Sequence, residues 1–182
     1  MDMKTDNSAK FPLSKKQWAL FLIGLILLTA GISLLCFYGF RKVKREIEQQ
    51  KLLKENPVIM IPAIGIEAPI LEGTDNDTLS KAVGHFEGTG SISSGNYCIA
   101  GHSSTIYEEY FNEIKSIEIG MEILVFDNDV GRTKSTYIVS EYFIVEPNET
   151  WILGDFGDNR ITLVTCTDDG TQRQIVVGKL KE

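Results

Sequence analysis

The most continuous hydrophobic stretch of the chain lies near its N-terminus. From Trp18 to Phe40, 23 consecutive residues carry no formal charge, and Leu, Ile and Phe are frequent among them. At about 1.5 Å per residue a helix of this length reaches roughly 35 Å, which exceeds a hydrocarbon core of about 30 Å. The stretch is longer than the apolar core of a secretory signal peptide, and no small-residue cleavage site is evident after it. We therefore predict an uncleaved transmembrane anchor over residues 18–40, preceded by a polar tail over residues 1–17, with a cleaved signal peptide as the alternative.

The pattern that follows the anchor has helical spacing. Residues 41–55 contain neither Gly nor Pro, and matched side chains recur four residues apart, as Val43 and Ile47 do. Pro57 then ends the helical pattern. We predict a helical stalk over residues 41–56, which is either a solvated spacer or a segment whose basic side chains contact anionic lipid headgroups.

Beyond Pro57 the hydrophobic pattern changes to short β segments separated by clusters of Gly, Asn and Asp. Many short strands within about 125 residues favour a β-barrel or sandwich, so the predicted fold is mainly β. Short helices are expected only near Asp77–Ala82 and Glu108–Ile114. The predicted strands are Val58–Ile61, Pro69–Leu71, Tyr97–Ala100, Met121–Phe126, Ser135–Val145, Arg160–Cys166 and Arg173–Val177.

The charge of the chain argues against one class of partner, and its cysteine content argues against one class of fold. The 182 residues hold 25 acidic and 18 basic side chains, for a net charge of −7. The acidic excess belongs to residues 55–182, which carry 21 acidic and 8 basic side chains, whereas residues 1–54 carry 4 and 10. An acidic globular part argues against nucleic acid as a partner. Three cysteines are too few for a disulfide scaffold, so each needs its own explanation.

The charges that flank the anchor do not decide its orientation. Four lysines precede the anchor, but six basic residues follow it up to position 54. A positive-inside count would place the more basic C-terminal flank in the cytoplasm, and this rule alone leaves the orientation open.

The last two predicted strands carry the first candidate chemistry. Asp169-Gly170 is a two-residue turn signal, and a hairpin closed there pairs Cys166 with Arg173. Residues directly opposite each other share a face of the sheet, with Cβ atoms about 5 Å apart. A cation beside a thiol favours the thiolate, and a guanidinium can also stabilise an oxyanion. The sequence therefore predicts Cys166 as a nucleophile with Arg173 beside it.

One of the two histidines is placed where a substrate can reach it. His102 follows the strand that ends at Ala100 and precedes a polar loop, and site residues concentrate at such strand ends. Cys98 lies four residues earlier, roughly 13 Å along an extended strand, so we do not expect it to contact His102. Cys98 is predicted to be a small buried apolar residue, and a Cys98–Cys166 disulfide is the alternative.

Taken together, these segments resemble the sortases, the cysteine transpeptidases of Gram-positive bacteria. Thr162–Cys166, with the sequence TLVTC, matches their TLxTC motif, and Ala100–His102 matches their histidine segment. Arg173 stands where their arginine follows in the next strand. Val83–Phe86 is similar to the Gly-His-aromatic segment that precedes the catalytic histidine in several sortases. The resemblance covers about residues 57–180.

The resemblance implies an eight-stranded sortase-type β-barrel over residues 57–182, held outside the cell membrane by the single-pass anchor, with the tail over residues 1–17 in the cytoplasm. It implies cleavage of an LPxTG-like sorting signal after its Thr and transfer of the protein to an amine acceptor of the peptidoglycan precursor. Cys166 would attack the Thr carbonyl, His102 would protonate the leaving amine and Arg173 would stabilise the oxyanion. Membrane lipid would contact residues 18–40.

Among sortase subclasses the chain looks most like class D, with a compact class A or E relative as the alternative. Only nine residues follow Arg173, so we expect no second membrane span of the kind that pilus-type sortases often carry. We find neither an Asp-Pro-Trp lid motif nor room for the long helical insertion of class B.

No cofactor is expected. The carboxylates of Glu108, Glu109, Glu113, Asp127 and Asp129 are the hard oxygen ligands that Ca²⁺ prefers, and some class A sortases bind this ion. Because this sequence does not reproduce the ligand pattern of those class A sortases, a solvated acidic face is the preferred interpretation.

Two other functional classes remain open. A membrane-anchored papain-like peptidase acting on cell-wall peptides also uses Cys and His, but its Cys precedes its His, whereas here Cys166 follows His102. A non-catalytic wall-binding β-module predicts no unusual thiol reactivity. His85 is interpreted as a loop residue bonded to nearby backbone, or as an auxiliary substrate contact, and is left out of the catalytic set.

Overall fold

The computed structural model describes residues 14–181 and divides the chain into two compact units between Ile47 and Glu48. Helix α1 spans Lys15–Glu55 without interruption through the predicted anchor and stalk. Most of the predicted polar tail lies outside the described residues, and the helix begins three residues before the predicted anchor.

In the unit that ends at Ile47, the described residues from Lys15 onward form the first part of helix α1. It is long and apolar enough to cross a membrane, and none of its described side chains is buried within the protein. Arg41 places its guanidinium 4.7 Å from the ring centroid of Phe37, at the point where the uncharged stretch ends. This helix is the candidate membrane span that the sequence predicts.

The second unit begins with the last two turns of α1, whose end is capped by the barrel. The final carbonyls of a helix have no partner within the helix. Arg132 donates to the carbonyls of Leu53 and Lys54, at 2.9 and 2.6 Å, and Asn128 donates to that of Glu55 at 3.2 Å. The turn between two strands therefore supplies the donors that the helix end requires.

Eight strands form a closed barrel in the order β1-β2-β3-β4-β7-β8-β6-β5, which confirms the mainly β, eight-stranded prediction. The short helices are α2, Asn76–Leu79, and three 3₁₀ turns at Pro62–Ile64, Asn112–Ser116 and Trp151–Leu153. The strands are β1 Val58–Ile61, β2 Ile66–Glu72, β3 Val83–His85, β4 Asn96–Ala100, β5 Glu122–Phe126, β6 Lys134–Val145, β7 Arg160–Cys166 and β8 Arg173–Leu180.

The predicted bounds of β1 and β7 agree with the structure. β2 begins at Ile66 rather than at Pro69, β8 ends at Leu180 rather than at Val177, and the other predicted strands differ from the structure by one residue at an end. β3 was not predicted, because three residues with a central glycine give no periodic signal. The expected helix at Glu108–Ile114 is instead the 3₁₀ turn Asn112–Ser116. The expected helix at Asp77–Ala82 is the single turn of α2, which Asp75 caps by accepting from the amides of Asp77 and Thr78.

Strand β7 is buried on both faces, and this determines where the site lies. Ile161 and Leu163 point into the barrel interior, where they pack with apolar side chains from the other strands. On the outer face, Val164 packs with Ile175 and with Ile152 of the loop between β6 and β7. Side chains fill a barrel of this size, so the functional groups lie on the outer face and at the strand ends.

Candidate active site

Strand pairing brings the three predicted site residues to one level of the barrel. β4 runs parallel to β7 with Ala100 opposite Val164, and β7 runs antiparallel to β8 with Cys166 opposite Arg173. His102 and Cys166 each lie two residues beyond the Ala100–Val164 pair. Because neighbouring strands are about 4.8 Å apart, His102, Cys166 and Arg173 form a short row across three adjacent strands. The Cys166–Arg173 pairing is the register that the Asp169-Gly170 turn predicts.

Three hydrogen bonds continue this register past the end of β4. The Gly101 amide donates to the Val164 carbonyl at 3.0 Å, and the Thr165 hydroxyl donates to the Gly101 carbonyl at 2.7 Å. The Ser103 hydroxyl donates to the Cys166 carbonyl at 2.8 Å. The residues on both sides of His102 are thus bonded to β7, which limits how far His102 can move from Cys166.

Gly101 is required by the packing of this strand end. A Cβ atom added at Gly101 would lie 2.5 Å from the ring of Phe111, which is fully buried in the interior. The Phe111 amide also donates to the His102 carbonyl at 3.1 Å. The ring therefore supports the backbone that carries His102, and only glycine leaves room for it.

A cavity of about 340 Å³ opens at the row. The loop between β6 and β7, residues 146–159, forms one side of the cavity, and residues from β2 to α2 form another. Its lining comprises Thr74, Leu79, Phe86, Ala100, Gly101, His102, Pro147, Glu149, Thr150, Ile152, Leu153, Val164, Thr165, Cys166 and Arg173. All three predicted site residues are half-buried and line this one cavity.

The Arg173 side chain is bonded to its own turn and forms no ion pair with a carboxylate among the described residues. Its Nη1 donates to the Gln172 carbonyl at 3.0 Å, and Gln172 donates from Nε2 to Glu146 at 2.8 Å. Among residues 14–181 no carboxylate lies within 4.0 Å of the Arg173 guanidinium. A cation without an internal counter-ion, beside a thiol in a cavity, can stabilise negative charge that develops on a bound substrate.

Comparison with known proteins identifies the fold. The sortase domain family model matches residues 59–181. The chain belongs to the sortase family. Its sequence is 29% identical over 124 residues to sortase A of Bacillus anthracis and 28% identical over 129 residues to sortase D of Bacillus subtilis. Each match covers 67% of this chain, and the chain spans only 58% and 62% of those two relatives.

Solved structures give the same result. A sortase D5 transpeptidase of Clostridium perfringens matches with a TM-score of 0.63 and 34% identity, over 75% of this chain and 89% of that one. Sortase C-1 of Actinomyces oris matches with a TM-score of 0.63 and 29% identity, over 69% and 73% of the two chains. Sortases of classes A, C and D all resemble this chain, so these similarities leave its predicted class D membership open.

The second cysteine of the sortase barrel is buried away from the cavity. Cys98 on β4 is 0% exposed, and burial raises the pKa of its thiol to about 11. Cys98 and Cys166 are both free, so the alternative of a disulfide between them is wrong. The prediction that Cys98 is a small buried apolar residue is confirmed.

His85 lies in strand β3 rather than in a loop, which corrects that part of its interpretation. Its Nδ1 lies 2.9 Å from both carboxylate oxygens of Glu72, and its Nε2 lies 2.9 Å from the Gly90 carbonyl. Its ring centroid is 4.6 Å from that of Tyr97. The buried His85 side chain therefore links β2 to the loop after β3 through hydrogen bonds, and it does not line the cavity.

The acidic residues considered for calcium do not converge in the part of the chain that the structure describes. Within residues 14–181 no three His, Cys, Asp or Glu side chains are placed to hold a metal ion together. Asp129 accepts from the Thr133 amide and hydroxyl, at 2.8 and 2.6 Å, and these bonds lower its pKa. The Asp129 carboxylate therefore stabilises its own turn through these hydrogen bonds.

Sequence reasoning missed the residues that form the sides of the cavity. The loop over residues 146–159 has no periodic pattern, and its role follows only from the way it folds across the outer face of β7. Asn96 and Ser103, which bond across strands, have no motif signal either.

Proposed function

We propose that this sortase is a cysteine transpeptidase that cleaves an LPxTG-like sorting signal after its Thr and transfers the protein to an amine acceptor of the peptidoglycan precursor. The observation that carries the proposal is the row of His102, Cys166 and Arg173 along one cavity. The proposed enzyme is anchored by residues 18–40, with its N-terminus in the cytoplasm, and it needs no metal or other cofactor.

In the first half-reaction the Cys166 thiolate attacks the carbonyl carbon of the substrate Thr. The carbonyl oxygen becomes an oxyanion, which the Arg173 guanidinium stabilises. When the peptide bond breaks, protonated His102 transfers its proton to the departing amine. The products are a thioester between Cys166 and the substrate Thr and a free C-terminal fragment.

In the second half-reaction the acceptor amine attacks the thioester carbonyl. His102, now neutral, accepts the proton that the amine loses, and the thiolate of Cys166 leaves. A new amide bond joins the substrate to the acceptor. His102 returns to its protonated form and Cys166 to its thiolate, so the cycle balances.

The lining of the cavity suits a peptide with apolar side chains. Val164, Ile152 and Leu153 provide apolar surface in the cavity that Cys166 lines, and the half-buried Phe86 packs against the same apolar cluster. We therefore expect the apolar side chains of the sorting signal to contact this surface.

The test is incubation of the full-length protein with an LPxTG-type peptide and an amine, followed by mass spectrometry. We expect ligated product and a thioester on Cys166 in the wild type, neither in Cys166→Ala, and both in the matched variant Cys98→Ala. Hydrolysis of a peptidoglycan stem peptide instead would indicate the papain-like class. Absence of any product, or loss of activity in Cys98→Ala with retention in Cys166→Ala, contradicts the proposal.

A further inference from the structure

Asn96, the first residue of β4, is a buried polar residue that the proposed chemistry does not use. It is 3% exposed, and each of its side-chain hydrogen-bonding groups has a partner. Its side-chain amide donates to the carbonyls of Ile152 and Gly154, both at 2.9 Å. Its Oδ1 accepts from the Thr162 hydroxyl at 2.6 Å. Both amide protons are thus directed at the loop between β6 and β7.

The two carbonyls that Asn96 binds flank Leu153, and both Ile152 and Leu153 line the cavity. This part of the loop has little regular structure of its own. Its only helical element is the 3₁₀ turn Trp151–Leu153, and a single 3₁₀ turn is a weak structure in isolation. The packing of Ile152 and Leu153, the stacking of Trp151 on Phe143 and the two hydrogen bonds from Asn96 together hold this side of the cavity against the barrel.

We propose that Asn96 is a positioning residue that fixes the β6–β7 loop in its peptide-binding conformation before the substrate arrives. The inference rests on the proposed function, since it assigns the loop to peptide binding. A surface that is already ordered loses less conformational entropy when a ligand binds, and its affinity is correspondingly higher. Asn96 does not line the cavity, so its effect reaches the substrate only through Ile152 and Leu153.

The decisive variant is Asn96→Asp, which keeps the size of the side chain and the acceptor for Thr162. It replaces the amide nitrogen by an oxygen that faces two carbonyl oxygens, so both bonds to the loop are lost. We expect KM for an LPxTG-type peptide to rise by about tenfold, with kcat within about twofold of the wild type, because two modest hydrogen bonds act on binding alone. Asn96→Ala, which removes the bonds without introducing repulsion, is expected to give the same split.

Thr162→Val is the matched control. It removes the hydroxyl that Asn96 accepts from and leaves both bonds from Asn96 to the loop in place. We expect a lower Tm with KM and kcat near the wild-type values. If Thr162→Val and Asn96→Asp change KM to the same extent, Asn96 acts on general stability and the proposal is wrong.

A spectroscopic measurement tests whether the β6–β7 loop is held on the barrel, and it can be made even if the Asn96 variants do not fold. The chain has two tryptophans, and Trp151 lies in the 3₁₀ turn, stacked 5.8 Å from Phe143. In full-length Trp18→Phe protein, fluorescence therefore reports on the loop. We expect the Trp151 signal to change in the same thermal transition as the β-sheet signal. A Trp151 transition well below that of the barrel would overturn the proposal.

The two measurements also separate this inference from the proposed function. If the wild type forms no thioester with any sorting-signal peptide, the proposed function fails. The Trp151 transition then still shows whether the β6–β7 loop is held on the barrel. If the wild type is active and Asn96→Asp keeps the wild-type KM, the inference alone fails.

Discussion

Cys98 and Cys166 lie on neighbouring strands of one barrel and differ in surroundings. Cys98 is fully enclosed, and burial raises the pKa of its thiol, so it stays protonated at neutral pH. Cys166 is half-buried at a strand end, opposite a guanidinium that has no carboxylate partner among the described residues. Thiolate is the nucleophilic form, so position within the barrel decides which cysteine is suited to catalysis.

Replacement of Arg173 by Ala is expected to reduce kcat/KM for peptide cleavage on the order of 10²- to 10³-fold, because it removes the donor proposed for the oxyanion. Arg132→Ala is the control, since Arg132 caps helix α1 and does not line the cavity. Steady-state kinetics of both variants with a fluorogenic peptide provide the measurement. An Arg173→Ala enzyme within about threefold of the wild type would remove Arg173 from the proposed mechanism.

At the residue scale, the sequence predicts a contact when it is local. The Cys166–Arg173 pairing follows from a two-residue turn and the count of residues on either side of it. The alignment of His102 with Cys166 depends on the parallel pairing of β4 and β7, which are about sixty residues apart, and it came from the family resemblance. Asn96 was missed because a buried amide has no periodicity and no motif.

At the scale of elements, short side-chain caps order the turn that precedes Arg173. Asp169 accepts from the hydroxyls of Thr167 and Thr171, at 2.6 and 2.8 Å, and from the Thr171 amide at 3.1 Å. These bonds lower the pKa of the Asp169 carboxyl. The ionised carboxylate is thus the form that stabilises the turn between β7 and β8.

A lowered pKa in the folded state fixes the sign of the pH dependence. The contribution of Asp169 is fully present above its ordinary value of 3.8 and is lost as the pH falls through the lower folded-state pKa. We expect Asp169→Ala to melt below the wild type at neutral pH, with the difference disappearing in strong acid. Thermal unfolding at a series of pH values measures this, and a Tm difference that grows on acidification would contradict it.

Element prediction failed at β3, a strand that is defined by its pairing with neighbouring strands rather than by a local pattern. β3 has only three residues and is defined by its parallel pairing with β2, where Leu71 lies opposite Gly84. A Cβ atom at Gly84 would lie 2.1 Å from the Gly73 carbonyl oxygen, so the close approach of two backbone segments explains this glycine. Neither the pairing nor the approach is visible in the sequence near residue 84.

At the scale of the whole molecule, the charge is divided between two unlike parts. The basic side chains concentrate around the apolar helix, whereas the acidic excess lies in the sortase barrel. The charge flanking the helix does not favour the orientation that the proposed function requires, since more basic residues follow the uncharged stretch than precede it. The charge pattern and the proposed function therefore predict opposite orientations, which labelling on intact cells distinguishes.

We expect a membrane-impermeant maleimide to label Cys166 on intact cells, because the proposed orientation places the barrel outside and Cys166 lines an open cavity. Cys36→Ala protein is used, so that the cysteine within the apolar helix does not contribute. Cys98 is fully buried and stays unlabelled while the barrel is folded, so a Cys166→Ala version gives the background. In that Cys166→Ala background, Ser8→Cys reports on the N-terminal side and is expected to react only after lysis. Labelling of Ser8→Cys on intact cells, with Cys166 reacting only after lysis, would place the barrel in the cytoplasm, where it could not reach a cell-wall acceptor.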